Sequence, residues 1–248
     1  MRMTIAHQRS SLRTVAALFK QEVEEMFVQW GLSKPLRTGA PHVSAILQSD
    51  SEWCLRRQVL LALYPEEARP LEQKPWDAHQ NAVFLHGWHL HEKYQRLFAE
   101  FGQIVEVECS HFDEVRFLHF TPDAVIFWAG QRYVVEIKGY KLDHFARLDE
   151  VGDPPEAAWH QCNLYMHVLG IERGLILVEC KDTQELKVWC IEHDALLARP
   201  YMDRCYSVKG AVTTGHIPAR ICQSCQEHRA EKCPVRDFCF SGRIKENS

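Results

Sequence analysis

Two stretches of this chain hold side chains whose types and spacing suit metal-assisted hydrolysis. Asp123 stands ahead of an apolar run, in Thr121-Pro122-Asp123-Ala124-Val125, and Glu136 and Lys138 close the next one, in Val134-Val135-Glu136-Ile137-Lys138. Residues two apart on a strand share a face. Glu136 and Lys138 therefore project together, and an adjacent strand brings Asp123 beside them. Two carboxylates that share a site suit a hard cation such as Mg²⁺ or Mn²⁺. A lysine beside that cation can position a water or neutralise charge building on a phosphate. That is enough equipment to hydrolyse a phosphodiester. The plainer alternative is a salt bridge at a sheet edge, but a buried strand that ends in charge needs a metal or an ion pair.

Upstream, His86, His89 and His91 crowd one helical segment, and composition does not say which of them could lend an imidazole nitrogen to the same metal. Downstream, Gln161 and Tyr165 stand one helical turn apart and share a face. Both can donate hydrogen bonds to phosphate or base. The ten cysteines form a separate problem. Cys109, Cys162, Cys180, Cys190 and Cys205 sit in apolar or regular segments and read as small buried hydrophobes. The last four run Cys222-x2-Cys225-x7-Cys233-x5-Cys239, a metal-ligand pattern. Such crowded thiolates favour zinc or iron–sulfur coordination, and spacing alone does not separate the two.

These residues need elements to position them. Leu12, Val15, Ala16, Phe19, Val23, Met26 and Phe27 recur at helical spacing over Ser11 to Trp30. Gly31, Pro35, Gly39 and Pro41 then punctuate a loop. Val43 to Tyr64 reads as helix with a break near Asp50-Ser51, and Glu66 to Pro75 as a charged loop. Ala78 to Phe101 is helical, with Val83, Leu90, Tyr94, Leu97 and Phe98 as its apolar positions and Gly102 as its stop. Three or four strands forming a meander follow, at Ile104 to Cys109, Phe117 to Phe120, Ala124 to Trp128 and Tyr133 to Ile137. Pro154 to Leu169 returns to helix. Leu175 to Cys180 and Glu185 to Ile191 are strands, and Asp194 to Val212 is a last helix that Pro200 should kink or divide. The order predicts a mixed α/β fold, a β-sheet core wrapped by helices from both ends, with a cysteine-rich tail.

Composition sets outer limits. A net charge of −4 with 46% apolar residues excludes a disordered chain and one that is basic all over, though not a local basic groove. No apolar run approaches the roughly 20 residues of a membrane helix. Met1 to Arg13 is polar and basic, without the apolar stretch of a secretory signal. Both features point to the cytoplasm and away from membranes, where disulfides are disfavoured.

The series Gly87-x3-His91-Glu92, Asp123, Glu136-x-Lys138 and Gln161-x3-Tyr165, in that order, resembles the PD-(D/E)XK nuclease superfamily. More closely it is similar to the RecB-like branch that includes CRISPR-associated and phage iron–sulfur exonucleases. The chain departs from that branch at His119-Phe120, where a glycine often precedes the aspartate. The resemblance implies a restriction-endonuclease-like mixed sheet at residues 43–212, after an N-terminal helix and linker at 1–42 and before a cluster-binding tail at 213–248 that packs on the 43–64 helix. It makes His91, Asp123, Glu136 and the Ile137 carbonyl the metal ligands and Lys138 the catalytic lysine. Gln161 and Tyr165 would contact the DNA strand, with Lys141, Arg147 and Arg57 as nearby cations. The implied activity is metal-dependent exonucleolytic hydrolysis of single-stranded DNA or DNA ends. Recombination or CRISPR-adaptation proteins would be the partners, and some relatives form rings.

The same resemblance tilts the cysteine pattern toward a structural [4Fe–4S] cluster, with zinc as the alternative. In that branch one N-terminal cysteine joins three from the C-terminus. Here Trp53-Cys54-Leu55-Arg56-Arg57 matches the first element, and Cys233 and Cys239 keep the usual last spacing. Ala230 stands where another cysteine is usual, so either Cys222 or Cys225 completes the set and the other is surplus. The rival from another class is a non-catalytic DNA-end-binding or partner-docking module with a zinc tail.

Overall fold

A computed structural model describes residues 17–31, 39–68 and 76–244. The elements are α1 (17–31), α2 (Val43–Ile46), α3 (Leu55–Leu63), α4 (Ala78–Glu100), β1 (Ile104–Val107), β2 (His111–Asp113), β3 (Leu118–Phe120), β4 (Ala124–Trp128), β5 (Gln131–Tyr140), α5 (Leu142–Val151), α6 (Glu156–Leu169), β6 (Arg173–Cys180), β7 (Leu186–Glu192), α7 (Ala195–Thr214), α8 (His228–Glu231) and α9 (Arg236–Cys239). The expected helix positions Leu12, Val15 and Ala16, the loop at Pro35 and the stretch 69–75 lie outside the described residues. No described helix is long and apolar enough to cross a membrane.

The chain divides into two compact units, Met1–Leu36 with Glu72–His89, and Arg37–Leu71 with Leu90–Ser248. In the first, Trp76 packs against Phe84 at 4.4 Å between ring centres. Phe19 and Met26 of α1 are exposed, not buried as their spacing suggested, and so is Val83 of α4.

The second unit holds a five-stranded sheet in the order β1-β4-β5-β6-β7. The β5–β6 pair is parallel and the others are antiparallel, so the sheet is mixed. Ala129 and Gly130 join β4 to β5 with φ of +49° and +83°, the left-handed pair that a two-residue hairpin demands. The parallel pair needs a crossover, which α5 and α6 supply. One face of the sheet packs Val134, Ile176 and Val178 against Cys162, Tyr165 and Met166 of α6. The other packs Val135, Ile137 and Leu177 against Leu90 and Tyr94 of α4.

Gly174 on β6 allows the close approach of α6. A Cβ there would stand 2.5 Å from Cys162 Sγ and 2.8 Å from Met166 Sδ, both in the packed core. Overpacking of this kind costs about 1–3 kcal/mol. For a chain of this size that is roughly 2–12 °C in Tm, so Gly174→Ala should melt several degrees lower in a thermal scan. An unchanged Tm would mean that the helix can slide away freely.

The 43–64 helix is in fact two helices. Between them Ser49 Oγ bonds Ser51 Oγ at 2.9 Å, and the Ser49 carbonyl accepts from Glu52 and Trp53. Serine and aspartate compete in this way with helical bonding. Pro200 does not divide α7. Its missing N–H orphans the carbonyl of Leu196, and Leu196 is 78% exposed, so water can serve that group. Strand β2 and helix α5 are additions to the sequence-based expectation, and the expected meander does not form: β3 pairs with β2 in a separate two-stranded sheet while β1 pairs with β4.

Candidate active site

Strand pairing assembles the acidic residues. Ala124 pairs with Val135, so Asp123, one residue before β4, falls opposite Glu136. Asp123 Oδ2 accepts a hydrogen bond from the Ile137 amide at 2.7 Å, and its carbonyl accepts from Gln95 Nε2 on α4 at 2.9 Å. These bonds fix both the backbone and the carboxylate of Asp123. From α4, His91 Nδ1 comes within 3.4 Å of Asp123 Oδ1 and 3.6 Å of Glu108 Oε1. Of the three clustered histidines, His91 is the one that meets Asp123.

Glu136 is fully buried. Lys138 Nζ donates to its Oε1, while its Oε2 has no hydrogen-bond partner among the described residues. Burial pushes the Glu136 carboxyl up to about 8; the neighbouring Asp123 adds to the rise and Lys138 opposes it. Burial also raises Asp123, against the pull of His91 and Lys138. Burial alone would lower Lys138, but the two carboxylates outweigh it and hold the ammonium above its usual value. The site is thus short of positive charge.

Lys138 Nζ also lies 3.5 Å from Gln161 Oε1, and Gln161 Nε2 donates to the Tyr165 hydroxyl at 3.2 Å. Tyr165 is 1% exposed. Of the expected DNA-contacting pair it is the buried member, its hydroxyl lying against the Gln161 amide. Its burial follows from the apolar face of α6, which packs on β5 and β6.

Sequence reasoning missed Glu108. It follows β1 with φ +41°, a conformation uncommon for a non-glycine residue. That twist breaks strand alternation, so period-two reading did not aim it at His91. The available signal was the acidic alternation of Glu106 and Glu108.

A second constellation lies where the tail meets α3. Cys54, Cys222, Cys233 and Cys239 line one cavity of about 30 Å³, together with Arg56, Arg57, Arg220 and Arg236. Cys225 is not part of that lining. Cys54 caps α3, its Sγ accepting from the Arg57 amide at 3.4 Å. Arg56, 2% exposed, donates to Cys239 Sγ at 3.2 Å and to the Pro218 carbonyl at 2.6 Å. The Tyr64 and Phe238 rings meet at 5.3 Å, tilted by 55°, and Arg229 donates to the Trp53 carbonyl, so the tail is docked on α3 by several contacts. Burial pushes the Cys222 and Cys233 thiols up.

No family model and no curated protein matches the chain. Solved structures do. The crystal structure of LHK-Exo in complex with dAMP aligns over 79% of this chain and 93% of its own, at TM-score 0.53 and 14% identity. The alkaline exonuclease LHK-Exo from Laribacter hongkongensis aligns over 77% and 93%, at TM-score 0.50 and 14% identity. The chain has an alkaline-exonuclease-like fold. A further structure, of SSO0001, aligns over 90% of this chain and 97% of its own at 17% identity, but its TM-score of 0.48 is too low to assign a fold.

Within this exonuclease-like fold the expected cations fare unequally. Lys141 and Arg147 are exposed around the start of α5, and Arg147 pairs with Asp143 at 3.6 Å. Arg57, expected along the DNA, is engaged elsewhere: it donates to the Gln48 side chain and the Glu52 carbonyl and borders the thiol cavity. Among the described residues, no group of three His, Cys, Asp or Glu side chains is arranged to hold a metal ion. The donor chemistry still suits a hard cation at the first site. Two buried carboxylates face each other, and one oxygen has no hydrogen bond. At the second site four soft donors line a small cavity bordered by guanidinium groups.

Proposed function

We propose that this chain is a metal-dependent deoxyribonuclease of the PD-(D/E)XK type that acts as an exonuclease on single-stranded DNA or DNA ends. The carrying observation is Glu136: fully buried, bonded by Lys138 at one oxygen, unpartnered at the other, and opposite a second buried carboxylate. A buried salt bridge is stabilising only when its remaining lone pairs are also hydrogen-bonded, which this one is not. The likeness in fold to an alkaline exonuclease supports the reading.

His91, Asp123, Glu136 and the Ile137 carbonyl would hold Mg²⁺ or Mn²⁺, which when bound supplies Lewis-acid stabilisation of charge developing on the phosphate. Lys138 sets its ammonium beside that phosphate and orients the attacking water. Gln161, braced by Tyr165, holds the strand by its amide. Glu108 and Gln95 fix His91 and Asp123 in place. Lys141 and Arg147 lie along the DNA path.

The test is cleavage of end-labelled linear and circular DNA, single-stranded and duplex, with Mn²⁺ or Mg²⁺. Loss of linear substrate only, abolished by EDTA and restored by added Mn²⁺, is the expected result. Cleavage undiminished in EDTA would rule out the metal-dependent mechanism. No cleavage by protein with an intact thiol centre would favour a DNA-end-binding module.

The four thiols of the second cavity would hold a structural [4Fe–4S] cluster, and zinc is the alternative. Colour decides between them: the anaerobically purified iron–sulfur form is brown and the zinc form colourless. A reduced thiol centre of this kind also agrees with cytoplasmic residence.

A further inference from the structure

A cleft of about 510 Å³ opens between α2, α6 and α7, and of its lining the proposed chemistry uses Gln161 alone. Its volume lies in the range of small-molecule sites, about 300–1,000 Å³. Gln161 lines it and also stands 3.5 Å from Lys138 Nζ, so the cleft begins one side chain from the reacting centre.

The walls are built, not incidental. Arg204 of α7 donates to the carbonyls of Ile46 and Gln48, each at 2.6 Å, and pairs with Asp50. It thereby closes the end of α2 and holds the loop after it. Its guanidinium also lies 4.9 Å from the Trp53 ring. On the opposite side His160 of α6 hydrogen-bonds Tyr201 of α7, and the two rings meet edge to face at 5.6 Å.

Charge decides what the cleft accepts. Among the described residues Arg204 is the only lysine or arginine in its lining, and it is already bonded to carbonyls and to Asp50. Asp50 and Glu156 add two carboxylates. A phosphate would meet net negative charge. An uncharged, planar, hydrogen-bonding group meets rings, the hydroxyls of Ser44 and Ser49, the amide of Gln48 and a carboxylate acceptor. Carboxylates accept from the exocyclic amines of bases, and aromatic rings stack on base faces whatever the sequence.

We propose that this cleft seats the base of the nucleotide adjoining the bond that is cut, with its phosphate left at Lys138. The proposal rests on the nuclease reading and adds a subsite to it. Stacking of one base on a protein ring shifts binding by about 5–150-fold, so a tenfold preference for an occupied cleft is the scale to look for.

The test compares kcat/KM on two DNA ends, one intact and one with a single abasic tetrahydrofuran at the nucleotide to be released. Wild-type protein should cut the intact end about tenfold faster or more. Ala157→Trp, an exposed position on the first turn of α6, fills the cleft. It should drop to the abasic rate on the intact end and be unchanged on the abasic one, which reports that fold and chemistry survive. Equal cutting of both ends by the wild type would overturn the subsite while leaving the nuclease reading standing. A wild-type preference that persists in Ala157→Trp would overturn it too. Failure of the wild type to cut either end would instead sink the nuclease reading, and the subsite with it.

Discussion

Lys138→Ala should lose DNA cleavage by about 10²–10³-fold or more in kcat, the scale on which removal of one preorganised charge-stabilising donor is felt. The argument is geometric. Lys138 is the cation that touches Glu136 and faces Gln161, and its side chain is 28% exposed at the mouth of the buried pair. Substrate can reach it while the carboxylate behind it stays dry. The variant should still fold. With the ammonium gone, Glu136 is left without its partner, but burial already pushes its carboxyl up to about 8. In the metal-free chain at neutral pH it takes a proton rather than remaining an unpaired buried charge. Lys138→Met, which keeps the aliphatic stem, should show the same catalytic loss. Single-turnover cleavage of end-labelled DNA, beside a thermal melt in EDTA, checks both halves. Full activity in either variant would remove Lys138 from the mechanism.

The parts of this site that follow from strand periodicity were legible in the residues themselves. β4 and β5 are short β-branched and aromatic runs around a Gly turn, and their pairing alone sets Asp123 opposite Glu136. Glu136 and Lys138 share a face because they are two apart. What was not legible depends on which way an element is turned. Three histidines on one helix are equivalent in composition, and only the packing of Leu90 and Tyr94 onto the sheet selects His91. Tyr165 shares a helical face with Gln161, yet that face tilts into the core, so one side chain reaches the site and the other braces it.

Local departures from regular structure hid the rest. Glu108 is turned by a positive φ that no period predicts. Helix α5 carries its signal in Leu142, Phe145 and Leu148, with Gly152 at φ +73° as its cap, but only Phe145 is buried and the pattern is weak. The apolar spacing of α1 is real in the sequence, while Phe19 and Met26 remain exposed. Spacing left open which thiol of Cys222 and Cys225 belongs with Cys233 and Cys239. The chain path through the tail brings Cys222 to the cavity and turns Cys225 away.

That last distinction has the second large consequence. Replacing Cys54, Cys222, Cys233 or Cys239 singly with serine should abolish metal binding at the proposed thiol centre and release the tail from α3, whereas Cys225→Ser should leave both intact. The cavity joins a residue that caps α3 to three residues more than 160 positions later. A bond network across so long a loop restricts the unfolded chain strongly. Loss of a metal belongs to the few mechanisms whose cost reaches about 4 kcal/mol or more. At roughly 2–4 °C per kcal/mol, that is on the order of 10 °C in Tm. Arg56 sharpens the expectation. It is buried, bonded to Cys239 Sγ and to the Pro218 carbonyl, and is seated by the tail it holds. Once the tail leaves, these two bonds go with it, so the damage spreads into α3. Metal and iron content of each purified variant, with its Tm, reads the outcome. Four variants that are depleted and unstable, beside a Cys225→Ser protein like the wild type, would match the cavity. Depletion on Cys225→Ser with a full complement in Cys222→Ser would reverse the assignment.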